Sequence, residues 1–389
     1  MKKVLPVIVI AQFFCTSLWF AGNAVMADII ARFHVEQAYL AHLTSAVQSG
    51  FIAGTLVFAL LSIADRFSPS RVFFTSAVIA ALFNLAITFR SINTVELLTF
   101  RFLTGFFLAG IYPVGMKIAA DYFEQGLGRS LGFLVGALVL GTSFPHLLKS
   151  SSLALRWEYV IYATSLLSIL GGLAILLLVP DGPYRKRGLK VRLSAFLDGF
   201  RSRSFRSVAF GYFGHMWELY AFWVFVPVML SAYQAHYPAR HLNVPLLSFC
   251  IIASGSISCV LGGLVSQSMG VKRTATAALM LSCACCILSP LFLFAGSTVT
   301  FIVFLFVWSM AVIADSPLFS TLVAQNAPVE SRGSSLTIIN CIGFAITIVS
   351  IQLLNALAGT QNIRYVYTLL AIGPVLGLGA LLKNKAISR

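Results

Sequence analysis

Residues 207–231, with the sequence SVAFGYFGHMWELYAFWVFVPVMLS, contain one carboxylate, Glu218, in an otherwise uncharged and mostly apolar run. A helix of roughly 20 apolar residues is long enough to cross a bilayer, so this run predicts a membrane-spanning helix. The rest of the chain is similar, because 59% of its 389 residues are apolar and only 10% are charged. Soluble domains carry about 25% charged residues, and disordered chains are poor in apolar residues. Both classes of protein are therefore excluded.

Further apolar runs of similar length bring the predicted total to twelve, which we number spans 1 to 12 in chain order. They cover residues 4–27, 40–63, 71–89, 95–119, 129–149, 158–180, 207–231, 244–267, 274–295, 299–323, 334–357 and 363–382. These runs predict an all-α membrane protein with twelve transmembrane helices.

The formal net charge is +15, which in a soluble chain would suggest nucleic-acid binding. In a polytopic chain, Lys and Arg instead indicate orientation, because they are enriched in cytoplasmic segments. With the N-terminus inside, about 20 of the 27 basic residues lie on the cytoplasmic side and about six on the other. Arg101 is the one basic residue placed inside a span and away from its ends. We expect a multi-pass protein of the bacterial inner membrane, with both termini cytoplasmic, contacts with membrane lipids and no nucleic-acid partner.

The longest polar stretch, residues 181–206, lies at the midpoint of the chain and is rich in Arg and Lys. It predicts an N-terminal six-helix bundle at 1–180, a basic cytoplasmic linker at 181–206 and a C-terminal six-helix bundle at 207–389. An internal repeat supports this division, since three short segments recur in order about 202 residues later. The pairs are Ile63–Arg66 with Gly263–Arg273, Tyr112-Pro113 with Ser316-Pro317, and Ala120–Leu131 with Ala324–Ser334. Two pseudo-symmetric halves are typical of secondary transporters.

These motifs resemble those of the major facilitator superfamily, over essentially the whole chain. The family's loop signature after span 2 is matched at Asp65-Arg66, although Leu61 and Ser68 replace two of its glycines. The copy after span 8 keeps Gly263, Gly270, Lys272 and Arg273 but has Gln267 in place of the acid. A second signature of the family, Arg-x-x-x-Gly in span 4, is matched by Arg101–Gly105. The antiporter signature of span 5 is incomplete. The resemblance implies that spans 1, 4, 7 and 10 line a central cavity.

Ionisable side chains within spans cost roughly 2.5–3.5 kcal/mol each, so we expect them to have a function. The clearest of them are Arg101 on span 4, Glu218 on span 7 and Asp315 on span 10. His215 lies three residues before Glu218, so the two share a helix face and can interact, which suits proton uptake and release. Static hydrogen bonding between helices is the alternative for both. Arg101 is expected to bind an anionic group or pair with an acid, or else to extend to the interface as an anchor.

Polar residues at helical spacing extend this candidate site to other spans. On span 10, Asp315 lies seven residues after Trp308 and is expected to share its face, at a helix break before Pro317. Asp315 is expected either to bind a proton or cation or to cap the helix that follows. The remaining candidates are Gln12, Thr16, Trp19 and Asn23 on span 1, Gln48 on span 2 and Tyr112 on span 4. The polar stripe of span 1 is expected either to line a cavity or to form hydrogen bonds between helices. For gating we expect Asp65, Arg66, Gly105, Gly263 and Gly270 to contribute, with a plain solvated turn as the alternative for Asp65 and Arg66. Lys117 is interpreted as an interfacial anchor.

The seven cysteines all lie in apolar runs, without partners at zinc-site spacing, so no metal is expected. Phosphate-loop and hydrolase motifs are absent from the sequence, so we expect neither a built-in ATP motor nor a hydrolase. We therefore predict a secondary active transporter, monomeric and without cofactor, that moves a small solute by alternating access and is driven by the proton gradient. The solute is expected to be a small organic or inorganic anion. An exporter of lipophilic or cationic compounds by proton antiport is the alternative, and a channel or membrane-embedded enzyme is the alternative from another class.

Overall fold

The structure is a computed structural model that describes residues 4–122, 127–151, 156–185, 199–328, 332–358 and 363–383. Its regular elements are helices, with no strand in those ranges. The chain divides into two compact units, Met1–Lys190 and Val191–Arg389, so the division falls within the basic stretch 181–206. Residues 186–198 of that stretch lie outside the described ranges.

Eleven of the described helices are long and apolar enough to cross a membrane, and Val4–Thr16 is a shorter apolar helix that begins the first unit. The all-α fold with twelve spans is thereby confirmed. In the first unit the helices are Val4–Thr16, Ala21–Ala24 and Met26–Phe33 (span 1), Tyr39–Leu60 (span 2), Pro69–Ala86 (span 3), Thr94–Leu108 and Tyr112–Tyr122 (span 4), Leu127–Ser150 (span 5) and Glu158–Leu178 (span 6), with the short Ile63–Arg66 between spans 2 and 3. In the second unit they are Arg203–His236 (span 7), Val244–Met269 (span 8), Val271–Phe292 (span 9), Thr298–Ala314 and Ser316–Asn326 (span 10), Arg332–Ala358 (span 11), and Ile363–Val366, the 3₁₀ turn Tyr367–Ala371 and Ile372–Leu382 (span 12).

Span 1 is interrupted, whereas its hydropathy predicts one continuous helix over 4–27. The first helix ends at Thr16, residues 17–20 form turns, and two short helices follow. Hydropathy reports only whether a segment is apolar, and the turn residues Ser17–Phe20 are nearly all apolar too. The interruption leaves backbone carbonyls without partners in their own helix, which must be satisfied by other groups inside a bilayer.

Spans 4 and 10 are interrupted at matching places in the two units. Tyr112–Tyr122 and Ser316–Asn326 each have 11 residues and follow a break, and each carries a proline at its second position. Proline lacks an N–H and suits the first turn of a helix, where that N–H would have no partner. The repeated dipeptides Tyr112-Pro113 and Ser316-Pro317 thus mark the same structural feature in both halves.

The second copy of the loop motif does not form the predicted loop. Gly263 lies inside the helix Val244–Met269, and the next helix begins at Val271. Gly270 alone makes the turn, with φ 88° and ψ 144°, a conformation that a side chain disfavours. The corresponding connection in the first unit is longer and contains the helix Ile63–Arg66. The two connections between spans therefore differ although their sequences are related.

Glycines bring spans 2 and 4 into close backbone contact. A Cβ atom added at Gly105 would lie 1.9 Å from the carbonyl oxygen of Val47, and one at Gly50 would lie 1.9 Å from that of Phe102. Gly54 makes a similar approach to Phe106, at 2.2 Å. Small residues are what allow helices to pack this closely in lipid. Gly105 of the Arg-x-x-x-Gly signature therefore packs span 4 against span 2.

Candidate functional site

Arg101 is fully buried in the first unit, on the first helix of span 4. Its guanidinium donates to the carbonyl oxygens exposed by the interruption of span 1: both Nη atoms lie 3.2 Å from the Leu18 oxygen, and Nη2 lies 2.6 Å from the Trp19 oxygen. Nη1 also donates to Oδ1 of Asn84 on span 3, at 3.1 Å. No acid pairs with Arg101 among the described residues. Carbonyl and amide dipoles thus stabilise the charge, and the arginine in turn satisfies the broken helix.

Asn84 extends this contact to span 6, and the sequence patterns did not single it out. Its Nδ2 donates to Oγ1 of Thr164 at 3.2 Å and to Oγ of Ser165 at 2.9 Å. Asn84 is fully buried. The sequence could have identified it as the one amide side chain on span 3, because a polar group within a membrane span needs hydrogen-bond partners. Spans 1, 3, 4 and 6 are thereby joined by one hydrogen-bond network.

The geometry corrects two expectations for Arg101. The side chain is 0% exposed, so it is not an anchor that reaches the interface. Its four terminal hydrogen bonds go to the protein, so it does not present a free fork to an anionic group in this conformation. Spacing along span 4 identified the buried charge but could not show that the break in span 1 lies beside it.

The polar stripe of span 1 is buried between helices of the same unit. Gln12 and Thr16 are 0% exposed and face glycines of neighbouring spans, Gly115 on span 4 and Gly141 on span 5. Asn23 donates to Oγ1 of Thr44 on span 2 at 2.7 Å. Of the two meanings that the sequence left open for this stripe, these contacts fit hydrogen-bonding and packing between helices.

The other candidates of the first unit take similar positions. Trp19 is 1% exposed and packs its ring against Phe51, with ring centroids 4.8 Å apart. Gln48 is fully buried on span 2. Tyr112 is half-buried and opens the second helix of span 4.

Glu218 is fully buried in the second unit, in the long helix of span 7. Its Oε1 accepts from Nε1 of Trp308 at 2.7 Å and from Sγ of Cys286 at 3.2 Å, and its Oε2 accepts from Oγ of Ser282 at 2.9 Å. All three donors are neutral, and no described cation pairs with this carboxylate. Burying an ionised carboxylate without a cationic partner is costly, and taking up a proton removes that cost.

Ser282 has two acceptors for its single proton. Its hydroxyl lies 2.9 Å from Glu218 and 3.2 Å from the carbonyl oxygen of Leu279 in its own helix. A hydroxyl can donate a hydrogen bond to an ionised carboxylate, or it can donate to the Leu279 carbonyl instead and accept a hydrogen bond from a neutral carboxyl group. The surroundings of Glu218 can therefore satisfy both of its protonation states without a change of fold.

His215 pairs with Asp315 and not with Glu218, which corrects the partner expected from their three-residue spacing. Nδ1 of His215 lies 2.8 Å from Oδ1 of Asp315, and both side chains are 1% exposed. Asp315 occupies the break in span 10, as the first residue after Ala314. Nε2 of His215 and Oδ2 of Asp315 have no hydrogen-bond partner among the described residues. Sequence spacing identifies neighbours on one helix only, and the partner of His215 lies on a different helix, span 10.

The His215–Asp315 pair and the Glu218–Trp308 hydrogen bond are adjacent because both connect span 7 to span 10. His215 and Glu218 lie one turn apart on span 7, while Trp308 and Asp315 lie seven residues apart on span 10. The expected shared face of Trp308 and Asp315 is observed, since each contacts its own partner on span 7. Ser282 and Cys286 on span 9 complete the cluster and were missed, although their four-residue spacing marks a polar stripe. We call His215, Glu218, Ser282, Cys286, Trp308 and Asp315 the acid cluster.

The loop acid Asp65 bonds to span 4. Nζ of Lys117 lies 2.9 Å from Asp65 and 3.6 Å from Asp121, so Lys117 is an ion-pair partner and not simply an interfacial anchor. Arg185, at the start of the basic stretch, donates to the carbonyl oxygens of Asp65 and Phe67. Arg66 is exposed, and no ion pair involves it in the described ranges.

The remaining gating candidates differ in their surroundings. Gly105 packs closely against span 2, as described above, whereas an added Cβ atom at Gly263 would meet nothing within 4 Å. Gly270 makes the turn between spans 8 and 9. Among the described residues no group of three or more His, Cys, Asp or Glu side chains is arranged to hold a metal ion.

Comparison with family profiles identifies one family, and comparison with solved structures finds similar folds. The sequence profile of the Major Facilitator Superfamily matches residues 8–351. No curated protein sequence matches significantly. The fold is similar to that of the human organic anion transporter MFSD10 (TETRAN), with a TM-score of 0.78 and 14% identity over 98% of this chain and 99% of that one. It is also similar to a bacterial homologue of the human lysosomal transporter Spinster, in an inward-facing and unoccupied conformation, with a TM-score of 0.69 and 15% identity over 99% and 95% of the two chains.

Proposed function

The chain belongs to the major facilitator superfamily, and from that membership we propose that it is a proton-coupled secondary active transporter. Family and fold make it a multi-pass membrane transporter and not an enzyme. The finer proposal is that a small solute crosses by alternating access of the two six-helix units, with the proton gradient as the energy source. Coupling takes place at the acid cluster of the second unit.

One observation carries this proposal: the Glu218 carboxylate is fully buried and is contacted by three neutral donors. A fixed structural acid at this depth would be expected to have a cationic partner, because an uncompensated charge is costly in lipid. Neutral donors, one of which can also accept, suit a group that alternates between charged and neutral forms. The adjacent His215–Asp315 pair supplies a second group that can exchange a proton.

For the solute, the structure supports a cationic or lipophilic compound over an anion. The anion hypothesis depended on Arg101, whose guanidinium is committed to Leu18, Trp19 and Asn84. Glu218 and Asp315 remain as buried acids, and an ionised carboxylate attracts a cation while a protonated one releases it. That alternation is the chemistry of proton antiport. Although the human relative in fold is an organic anion transporter, 14% identity carries the fold alone.

The test is proton movement in proteoliposomes that contain a pH-sensitive dye. Ethidium serves as a lipophilic cation and benzenesulfonate as a permanently charged anion, with protein-free liposomes as the background. Antiport of an entering cation expels protons and makes the interior alkaline, whereas symport of an anion makes it acidic, so the sign of the signal identifies the solute class.

The variant Glu218→Gln keeps the shape and polarity of the side chain but cannot exchange a proton. We expect it to abolish the dye response, while Glu36→Gln, an exposed acid outside the cluster, retains it. Equal proton movement by Glu218→Gln and the unsubstituted protein would refute coupling through Glu218. An acidic interior with benzenesulfonate would restore the anion hypothesis and leave the proton coupling intact.

We further propose that the protein resides in a bacterial inner membrane as a monomer, with both termini cytoplasmic. The distribution of Lys and Arg supports this orientation. In that orientation the contacts of Asp65 with Lys117 and of Arg185 with the Asp65 carbonyl lie at the cytoplasmic end of the first unit, where they suit a latch that opens and closes during the cycle.

A further inference from the structure

A polar cavity of about 370 Å³ lies at the end of the first unit opposite Asp65. The connections after spans 1, 3 and 5 meet there, and the lining residues are Arg32, Thr88, Arg90, Arg156, Glu158 and Tyr162. Three arginines and one glutamate give this cavity an excess of positive charge. None of these residues belongs to the acid cluster or to the Arg101 network.

Arg32 is held in place by neutral groups. Its guanidinium donates to the carbonyl oxygens of Thr88 and Phe89, and it lies over the rings of Phe33 and Trp157 at 5.1 and 5.3 Å from their centroids. Carbonyl dipoles and aromatic faces orient the cation without neutralising its charge. The charge of Arg32 is therefore fixed at the cavity wall and available to an anion.

Three of the four acids at this end of the unit have other partners or are matched one to one, and the fourth, Glu36, is exposed, does not line the cavity and has no ion pair in the described ranges. Asp28 pairs with Lys149 at 2.7 Å, and Glu158 pairs with Arg156 at 3.2 Å. Glu96 is part of a capping box with Asn93. Arg90 is exposed and has no ion pair in the described ranges. Arg32 and Arg90 thus have no ion-pair partner in the described ranges, although the charge of Arg32 also acts on Glu158 across the cavity. Residues 152–155, which lie outside those ranges, have uncharged side chains.

We propose that this cavity binds a phosphate-class anion, as the headgroup of an anionic lipid or as a free phosphate. Guanidinium groups match phosphate oxygens by paired hydrogen bonds, and Arg32 and Arg90, which have no ion-pair partner in the described ranges, can supply several donors to one phosphate group. The rings of Tyr159 and Tyr162 are 53% and 45% exposed, as expected of aromatic residues at a membrane interface. This position brings the cavity to the level of lipid headgroups. The site is independent of the proton coupling at Glu218.

The test uses the full-length protein purified in detergent. Native mass spectrometry measures binding of dihexanoyl phosphatidylglycerol against zwitterionic dihexanoyl phosphatidylcholine, and equilibrium dialysis measures binding of radiolabelled inorganic phosphate. Arg90→Glu is the principal variant and Arg90→Gln the milder one, which preserves the test if charge reversal impairs folding. The matched control is Arg71→Glu, which reverses an exposed arginine at the opposite end of the same unit.

We expect an anion to bind the unsubstituted protein and Arg71→Glu equally, and Arg90→Glu at least about tenfold more weakly, with a smaller loss in Arg90→Gln. Binding of phosphatidylglycerol alone identifies a lipid headgroup, and binding of inorganic phosphate as well identifies a general phosphate site. Equal binding of phosphatidylglycerol and phosphatidylcholine without phosphate binding, or unchanged binding in both Arg90 variants, would overturn the proposal.

Discussion

Single buried charges are stabilised differently in the two units. In the first unit, the Arg101 cation donates hydrogen bonds only to backbone and amide oxygens, and these bonds connect spans 1, 3 and 4. In the second unit, the Glu218 anion accepts hydrogen bonds from three neutral donors, and one of them, Ser282, can also act as an acceptor. An arginine is always charged, whereas a carboxyl group can be neutralised by one proton. Arg101 therefore suits a permanent structural role and Glu218 a changing one.

Removing the Arg101 guanidinium should destabilise the first unit. Arg101→Ala leaves the Leu18 and Trp19 carbonyls and Asn84 Oδ1 without their donor, and unsatisfied buried groups cost about 1–3 kcal/mol each. We expect a clear fall in the thermal unfolding midpoint in detergent. Arg156→Ala is the control, since its side chain is 64% exposed and exposed ion pairs contribute about 0–1 kcal/mol. Equal midpoints for the two variants would contradict the role given to Arg101.

Two serines of span 9 provide a matched pair for the acid cluster. Ser282 donates to Glu218, while Ser289, which is equally buried, donates to the Cys286 carbonyl of its own helix. Hydrogen bonds to charged groups contribute about 1.5–3 kcal/mol, and neutral ones about 0.5–1.5 kcal/mol. We expect Ser282→Ala to lower both the thermal midpoint and the proton signal in proteoliposomes, and Ser289→Ala to leave the proton signal unchanged. Loss of that signal in both variants would mean that span 9 acts through packing alone.

At the scale of helices, interruptions and glycines determine which side chains meet. The break in span 1 creates the carbonyl acceptors for Arg101, and the break in span 10 places Asp315 beside His215. Gly105 lets span 4, which carries Arg101, pack closely against span 2. Hydropathy detected every span, but it could not detect the break in span 1, because the turn residues are as apolar as their neighbours.

Two glycines that share a predicted gating role should respond in opposite ways to alanine. At Gly105 the new Cβ atom would lie 1.9 Å from a backbone oxygen of Val47, so spans 2 and 4 must separate. Gly263 lies in a helix with nothing within 4 Å, where Ala is favoured over Gly by roughly 0.5–1 kcal/mol. We expect Gly105→Ala to lower the thermal midpoint and Gly263→Ala to keep or raise it. A stable Gly105→Ala variant would show that the close contact is not required.

At the scale of the whole molecule, the chain consists of two units of six spans that repeat one plan. Both units have an interrupted fourth helix with a proline after the break, yet their chemistry differs. The first unit carries the fully buried Arg101, and the second carries both fully buried acids, Glu218 and Asp315. A common architecture with unequal side chains is consistent with a division of labour, in which the second unit exchanges protons.

The charge distribution makes a prediction about orientation that reporter fusions can check. Alkaline phosphatase, which is active only outside the cytoplasm, should be inactive when fused after residue 206 and active when fused after residue 240. Basic residues near span ends retain their segments in the cytoplasm, and the stretch 181–206 is the most basic of the chain. The reverse pattern of activity would invert the proposed topology and place Asp65 at the outer end.

The sequence by itself determined the class of protein, the number and approximate bounds of the spans, the halfway division and the identity of the buried charges. These follow from local composition and spacing, because lipid excludes charged side chains over any segment that crosses it. Only the tertiary structure decided the partners: Arg101 with the break in span 1, His215 with Asp315, and Glu218 with Trp308, Ser282 and Cys286. Spacing along one helix identifies side chains that share a face, but a buried polar group bonds to whichever donor or acceptor the neighbouring helices bring near it.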